Sequence, residues 1–269
     1  MPETAPRRVR KRVFGRDPEA YDRARLAYPP QVYDILTTRC GLRPSTSVFE
    51  IGPGTGIATR QLLKLGANPI TLVEPDRRLA RFLANRLRNR SGRVRIEAKP
   101  FERVKLPRGG FDLGVAATSF HWLPERLALR KVARALRHGG WWATWNNHHG
   151  DPYRPSAFQD ALQPLYYELS GRAKSGYTKA RARKDRRDRL RALKSIVEFE
   201  RVSRDDIRWT ATLGTARVQA LWGTFSDVVT LRPVRRVWFL SELGRIVDDQ
   251  FDGKVDIPVL TPVYTARRR

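Results

Sequence analysis

Cysteine is nearly absent from this chain: Cys40 is the one thiol in 269 residues. A lone cysteine closes no intramolecular disulfide and builds no cysteine-based zinc site. Long apolar runs are missing as well. No stretch approaches the roughly 18–20 residues of a membrane span, and no apolar signal-peptide core follows Met1. The expected location is therefore cytoplasmic. Acidic residues are the third shortage, 27 against 53 lysines and arginines, which leaves a formal charge of +26. Such a field draws anions, and it draws nucleic acid non-specifically with an attraction that salt weakens steeply. A surface of solvated arginines with no partner would give the same surplus.

What is present suffices for a folded body. Seven tryptophans and 41% hydrophobic residues set the chain apart from disordered sequences. The most informative stretch is Val48-Phe-Glu-Ile-Gly-Pro-Gly-Thr-Gly-Ile57. Val48 to Ile51 predicts a buried strand carrying one acid, Glu50. Gly52, Gly54 and Gly56 then form a turn ahead of a helical run over 58–65. Glycine reaches positive φ and lacks a Cβ, so a ligand can lie against the backbone there. The following helix offers unpaired N–H groups and the positive end of its dipole to the same place. The spacing excludes two cradles. G-x-G-x-x-G fails from Gly52, where Ile57 stands third, and from Gly54, where Thr59 does. A triphosphate loop fails because no lysine follows Gly56.

Residues 1–13 read as a basic flexible arm. Aromatics at 14, 21 and 28 recur every seven residues and predict one helical face, after which Pro29-Pro30 opens a second helix with a stripe at Val32, Ile35 and Leu36. Strands are expected over 69–74, 93–98, 112–117 and 141–145, with helices between. One helix carries Leu79, Phe82, Leu83 and Leu87 on one face; another carries Leu129, Val132 and Leu136 and is expected to stop at Gly139-Gly140. Glu74 closes the second strand, 22 residues after Gly52, where an acid can accept both hydroxyls of a ribose. Asp76 could share that work or cap the next helix. Strands alternating with helices imply a parallel sheet with ligands beyond the carboxyl ends of its strands. From 151 to 198 the chain reads as helical and charged, with eleven Lys/Arg and two Asp over 172–194; that run suits either a solvated helix or an anion-binding lid. A strand over 207–213, helices over 215–225 and 235–251 and a long strand over 254–266 complete the chain.

The motifs Tyr21-Asp-Arg-Ala-Arg-Leu-Ala-Tyr28-Pro, E-x-G-x-G-x-G from Glu50, L-V-E-P-D at 72–76, Phe101-Glu102, Ser119-Phe-His-Trp122, Ala135-Leu-Arg-His-Gly-Gly140 and Trp145-Asn146 occur in an order that resembles the class I S-adenosylmethionine-dependent methyltransferases. The resemblance is to the bacterial small-molecule branch that includes trans-aconitate-methyltransferase-like proteins, and it spans residues 14–268. It implies an α/β fold with a seven-stranded Rossmann-like sheet, mostly parallel with an antiparallel last strand, plus a helical insertion or lid. One methyltransferase domain would occupy 14–269, with lid elements at 14–40 and 151–198 and a further helical segment at 214–251.

The cofactor implied is S-adenosyl-L-methionine, with S-adenosyl-L-homocysteine as product. By resemblance the turn at Glu50, Gly52, Gly54 and Gly56 meets its methionine end and Glu74 holds the ribose. Phe101 flanks the adenine, Thr118 to His121 line the sulfonium, and Tyr21 and Arg25 close over the site. The family often places an acid before the Phe-Glu pair, where this chain has Pro100, and an Arg-Pro where it has Arg25-Leu26.

Methyl transfer from a sulfonium is an in-line displacement that depends on alignment. A carboxylate acceptor needs no base, whereas a phenol or amine gains from one. His121 is the candidate base, since histidine ordinarily titrates near neutrality. Tyr28, Trp122, Trp145 and Asn146 are candidates for substrate binding, although both tryptophans would equally suit a core. No metal site is expected: His148-His149 alone is not a metal motif. O-methylation of an anionic small molecule is favoured. A nucleic-acid methyltransferase is the competing class, but Ala-Thr-Ser-Phe-His-Trp stands where amino-methylating DNA enzymes carry Asn/Asp-Pro-Pro-Tyr. A non-catalytic binding protein is the third.

Overall fold

The computed structural model describes Gly15 and residues 17–90, 93–170 and 177–269. The basic arm expected over 1–13, Phe14 and part of the basic run after 171 lie outside the described residues.

In chain order the elements are α1 (Pro18–Ala24), α2 (Pro30–Thr38), β1 (Thr46–Ile51), α3 (Ile57–Lys64), β2 (Ala67–Val73), α4 (Arg77–Leu87), β3 (Val94–Glu97), β4 (Phe111–Ala117), α5 (Glu125–Ala135) and β5 (Leu136–Trp145). There follow β6 (His148–His149), α6 (Ala157–Ala161), α7 (Gln163–Ser170), α8 (Lys179–Lys194), β7 (Phe199–Gly214), α9 (Thr215–Trp222), α10 (Ser226–Val229), α11 (Pro233–Phe251) and β8 (Lys254–Arg268).

The chain divides into two compact units. One comprises Met1–Leu26, His148–Ala182 and Arg208–Leu260, the other Ala27–Asn147, Arg183–Ile207 and Thr261–Arg269. The single domain expected over 14–269 drew no such division.

The main sheet has the order β3-β2-β1-β4-β5-β8, with β7 also paired to β8; the second unit holds β1 to β5 with residues 199–207 of β7 and 261–268 of β8. β1 to β5 are parallel and β8 runs antiparallel to β5, Trp145 facing Val263. Alternation along the strands sends successive side chains to opposite faces. Val48, Leu113 and Ala143 pack with Val32, Leu36, Leu62 and Leu83 of α2, α3 and α4. Phe49, Phe111 and Trp142 pack with Leu129 and Val132 of α5 and Leu193 of α8. Leu193 is fully buried, so the last turns of α8 form part of the layer over the sheet. Arg189 ties them to Glu125 of α5 at 2.6 Å. In the first unit, α6, α7, α9 and α11 bury Phe158, Leu162, Leu221, Phe239 and Leu243 together with Ile257 and Val259 of β8.

Three local expectations are corrected. Tyr28 does not share a helix with Tyr21, because Arg25 is already extended (φ −70°, ψ 141°) and ends α1. The helix over 125–135 does not run on to Gly139-Gly140. Leu136 turns extended while its N–H still bonds Val132 O, and the glycines lie inside β5. Residues 137–140 form a bulge there, since Phe111 faces Leu136 but Leu113 already faces Trp141. Finally, β7 starts at Phe199 rather than 207. Its first half is studded with charged residues that hide the strand period, and they are satisfied by partners such as Arg204 with Asp206 at 2.6 Å.

Candidate cofactor site

The carboxyl ends of β1, β2, β4 and β5 converge within the second unit. Gly52 N–H bonds Val73 O at 2.9 Å and Thr118 N–H bonds Trp145 O at 2.8 Å. Ser119 Oγ donates to Ile51 O. These bonds bring the glycine turn, Glu74 and the segment after β4 to one place, as strand order requires.

The turn is left-handed at all three glycines, with φ +63° at Gly52, +60° at Gly54 and +86° at Gly56. Two of them serve different ends. A Cβ on Gly52 would stand 2.6 Å from Ser119 Cβ, so glycine is needed for packing between β1 and β4. A Cβ on Gly54 would meet nothing within 4 Å among the described residues. Gly54 therefore bares its backbone to open space, the surface a ligand would cover.

Glu74 is 4% exposed. Its carboxylate accepts from Gly54 N–H at 3.0 Å and from Asp76 N–H at 2.9 Å. A carboxylate offers about four acceptor positions, so roughly two remain. Burial raises its pKa to about 7 against the opposing hydrogen bonds from Asp76 and Gly54. Asp76 caps α4 through Arg78 N–H at 2.9 Å and pairs with the Arg78 guanidinium. Its oxygens are taken by Arg78, whereas Glu74 keeps acceptor positions free.

Glu50 lies under the turn, fully buried on the α2 and α3 face. Thr59 Oγ1 donates to Glu50 Oε2 at 2.6 Å. Burial pushes this acid to about 7 as well; the Thr59 bond opposes the shift and the charge of Glu74 adds to it. Glu50 Oε1 and Thr55 Oγ1 are buried with no hydrogen-bond partner among the described residues. An unpaired buried polar atom costs about 1–3 kcal/mol. Such atoms beside a bared glycine fit a polar ligand, and the donor and acceptor set fits S-adenosylmethionine.

The other expected residues divide. Thr118 (φ +54°) follows β4 directly, and its hydroxyl meets Tyr28 OH at 2.8 Å. Trp145 is 1% exposed, with the rings of Tyr28 and Tyr33 edge-on at 5.8 and 6.4 Å; it is a core residue and not a substrate wall. Phe101 is also in the core, 2% exposed, with the Lys131 ammonium 4.8 Å from its ring centre. Its ring is thus engaged, and an adenine would not find it bare. His121 is exposed and tilted against Trp122 at 4.9 Å, and Asn146 is half-buried just past β5. Tyr21 and Arg25 belong to the first unit. There the Arg25 guanidinium lies 5.0 Å from the Tyr21 ring and 5.2 Å from Phe225, and donates to Thr224 O.

Sequence reasoning missed Tyr33, Thr59 and Asn147. Tyr33 stands on α2 near Glu50, and burial raises its pKa far above the usual phenol value. Asn147 accepts from Thr261 Oγ1 at 2.8 Å and donates to Ala27 O at 3.1 Å, fixing the segment that leads to Tyr28. Thr59 carried a faint signal, a polar residue on the otherwise apolar face of α3. The other two carried none.

Comparison with known proteins gives this geometry a class. Residues 48–140 match the family described as Methyltransferase domain. An uncharacterised methyltransferase of Mycobacterium tuberculosis is 30% identical over 137 residues, 51% of this chain and 53% of the relative. The chain thus spans about half the length of the curated relatives it matches. A structure from Anaeromyxobacter dehalogenans, described as a candidate type II methyltransferase, aligns with a TM-score of 0.62 at 17% identity, over 91% of this chain and 97% of that one. Haemonchus contortus phosphoethanolamine N-methyltransferase 2, solved with phosphomonomethylethanolamine and S-adenosylhomocysteine, aligns at 0.55 with 13% identity, over 93% and 56%.

The fold is a Rossmann-like α/β fold shared with the solved methyltransferase structure from Anaeromyxobacter dehalogenans. Residues 48–140, which hold the glycine turn and Glu74, are the part of the chain that resembles the methyltransferase-domain family.

Proposed function

We propose that this protein transfers a methyl group from S-adenosylmethionine to a small anionic acceptor, at oxygen, within the small-molecule branch that resembles trans-aconitate methyltransferases. Glu74 carries the reading: a buried carboxylate fixed to Gly54 by a 3.0 Å hydrogen bond, with acceptor positions to spare beside open backbone. That arrangement supplies what two ribose hydroxyls require.

When bound, the cofactor supplies a sulfonium methyl for in-line displacement. The work of the chain is to hold and align. Glu74 takes the ribose, the turn at Gly54 takes the methionine end, and Glu50 with Thr55 receives its polar groups. Thr118, held by Tyr28, shapes the wall after β4. A carboxylate acceptor needs no proton removed; for a phenol, His121 would serve as base. The surplus of cations favours an anionic acceptor by long-range attraction.

Titration calorimetry with S-adenosylmethionine tests the donor side. A labelled-methyl screen of carboxylic acids, phenols and amines in about 0.5 M NaCl tests the acceptor, because phosphate contacts to a nucleic acid would be screened there. Turnover confined to RNA or DNA at low salt would overturn the small-molecule assignment.

A further inference from the structure

The second unit has a cavity of about 360 Å³ at the edge opposite the glycine turn, where β1, β4 and β5 begin. The end of α2 and the loop after it (Thr38–Thr46), Asp112 of β4, and Arg137 with Gly139–Trp141 of β5 line it. Methyl transfer as proposed above makes no use of this edge.

Two local irregularities border the cavity. One is the β5 bulge over 137–140. The other is Ser45, a non-glycine residue at φ +70°, a conformation that costs on the order of 1–3 kcal/mol and persists where its surroundings enforce it. The charges are unbalanced. Asp112 is taken by Arg137 at 2.6 Å, and Arg39 is gripped by Asp205 through both terminal nitrogens. Arg43 is exposed, and among the described residues its guanidinium has no ion-pair partner. Trp141, half-buried and packed against the core, also lines the cavity.

We propose that this cavity is a second binding site, for an anion of nucleoside-monophosphate size, with the phosphate on Arg43, beside the neutralised Arg137–Asp112 pair, and the flat ring against Trp141. Guanidinium suits phosphate because its planar N–H fork matches two oxygens, and indole suits a base through stacking. The volume lies at the small end of ligand pockets, so a single nucleotide fits better than a strand.

Calorimetry on the full chain with uridine 5′-monophosphate, and separately with inorganic phosphate, tests the site. Uridine monophosphate should bind more tightly than phosphate. Arg43→Ala should weaken it about tenfold, as loss of a charge-assisted hydrogen bond does. Arg245→Ala, which removes the same charge from exposed α11 in the other unit, should leave it unchanged. Trp141→Phe should weaken the nucleotide and spare phosphate. Saturating S-adenosylhomocysteine should not compete. Equal weakening by the two arginine variants would reduce the binding to the general field of the protein and overturn the site. So would competition by S-adenosylhomocysteine, or an absence of binding at millimolar nucleotide.

Discussion

Glu74 and Gly54, twenty residues apart, are joined by a 3.0 Å hydrogen bond from the glycine N–H to the carboxylate. The bond ties the acid that ends β2 to the turn that ends β1, so the proposed ribose acceptor and the proposed methionine cradle are one rigid piece. Replacing Glu74 by alanine removes both functions at once. Affinity for S-adenosylmethionine should fall tenfold or more, roughly 1.4 kcal/mol, measured by calorimetry. Unchanged affinity in Glu74→Ala would remove this acid from the ribose site.

The two buried acids set a pH dependence of stability. Glu50 and Glu74 titrate near 7 in the folded chain against an ordinary 4.5. Their folded pKa values are raised, so the stability they confer is fully present below about 4.5 and is lost as pH rises through about 7. The shift is worth on the order of 3 kcal/mol per group. Urea denaturation should show less stability at pH 8 than at pH 5 from these groups. Glu50→Gln should be the more stable form at pH 8 and should flatten the profile; an identical pH slope in that variant would contradict the assignment.

Gly52 admits no side chain. In Gly52→Ala the new methyl stands 2.6 Å from Ser119 Cβ at φ +63°, and the left-handed backbone alone costs on the order of 1–2 kcal/mol. Denaturant midpoints should drop accordingly. The double variant with Ser119→Gly should recover the steric part and retain the backbone part. Full recovery, or none, would show that the contact is misread.

The Tyr28–Thr118 hydroxyl pair is open to a double-mutant cycle. Tyr28→Phe and Thr118→Ala each remove one end of the 2.8 Å bond, and a net coupling of about 0.5–1.5 kcal/mol is expected in stability. If Thr118 shapes the acceptor wall, Tyr28→Phe should also lower turnover while leaving S-adenosylmethionine affinity within about twofold. Equal losses in both would place the pair on the donor side.

His121 is tested by pH. For a phenolic acceptor, His121→Gln should lower kcat and flatten its rise with pH, because an imidazole acts as a base only when unprotonated. For a carboxylate acceptor the same variant should leave kcat nearly unchanged. A loss of equal size with both acceptor types would make His121 a positioning residue.

The sequence by itself determined the parallel sheet, the glycine turn and the place of Glu74 at the end of β2. These rest on local period and on short spacings along the chain, and a strand ending in Gly-x-Gly-x-Gly with an acid at the end of the next strand has few other ways to fold. It did not determine where β5 begins, because Gly139-Gly140 reads as a helix stop unless β4 is there to pair with Leu136 and Trp141. Nor did it separate core from site among the aromatics. Trp145 and Phe101 look alike in sequence to ring-binding residues, and only the packing of Tyr28, Tyr33 and Lys131 around them shows that their surfaces are already taken. The grip of Thr59 on Glu50 and of Ser119 on Ile51 O likewise exists only once the strands are assembled. Period and spacing are properties of the chain, whereas burial and hydrogen-bond partnership depend on residues that the fold alone brings within reach.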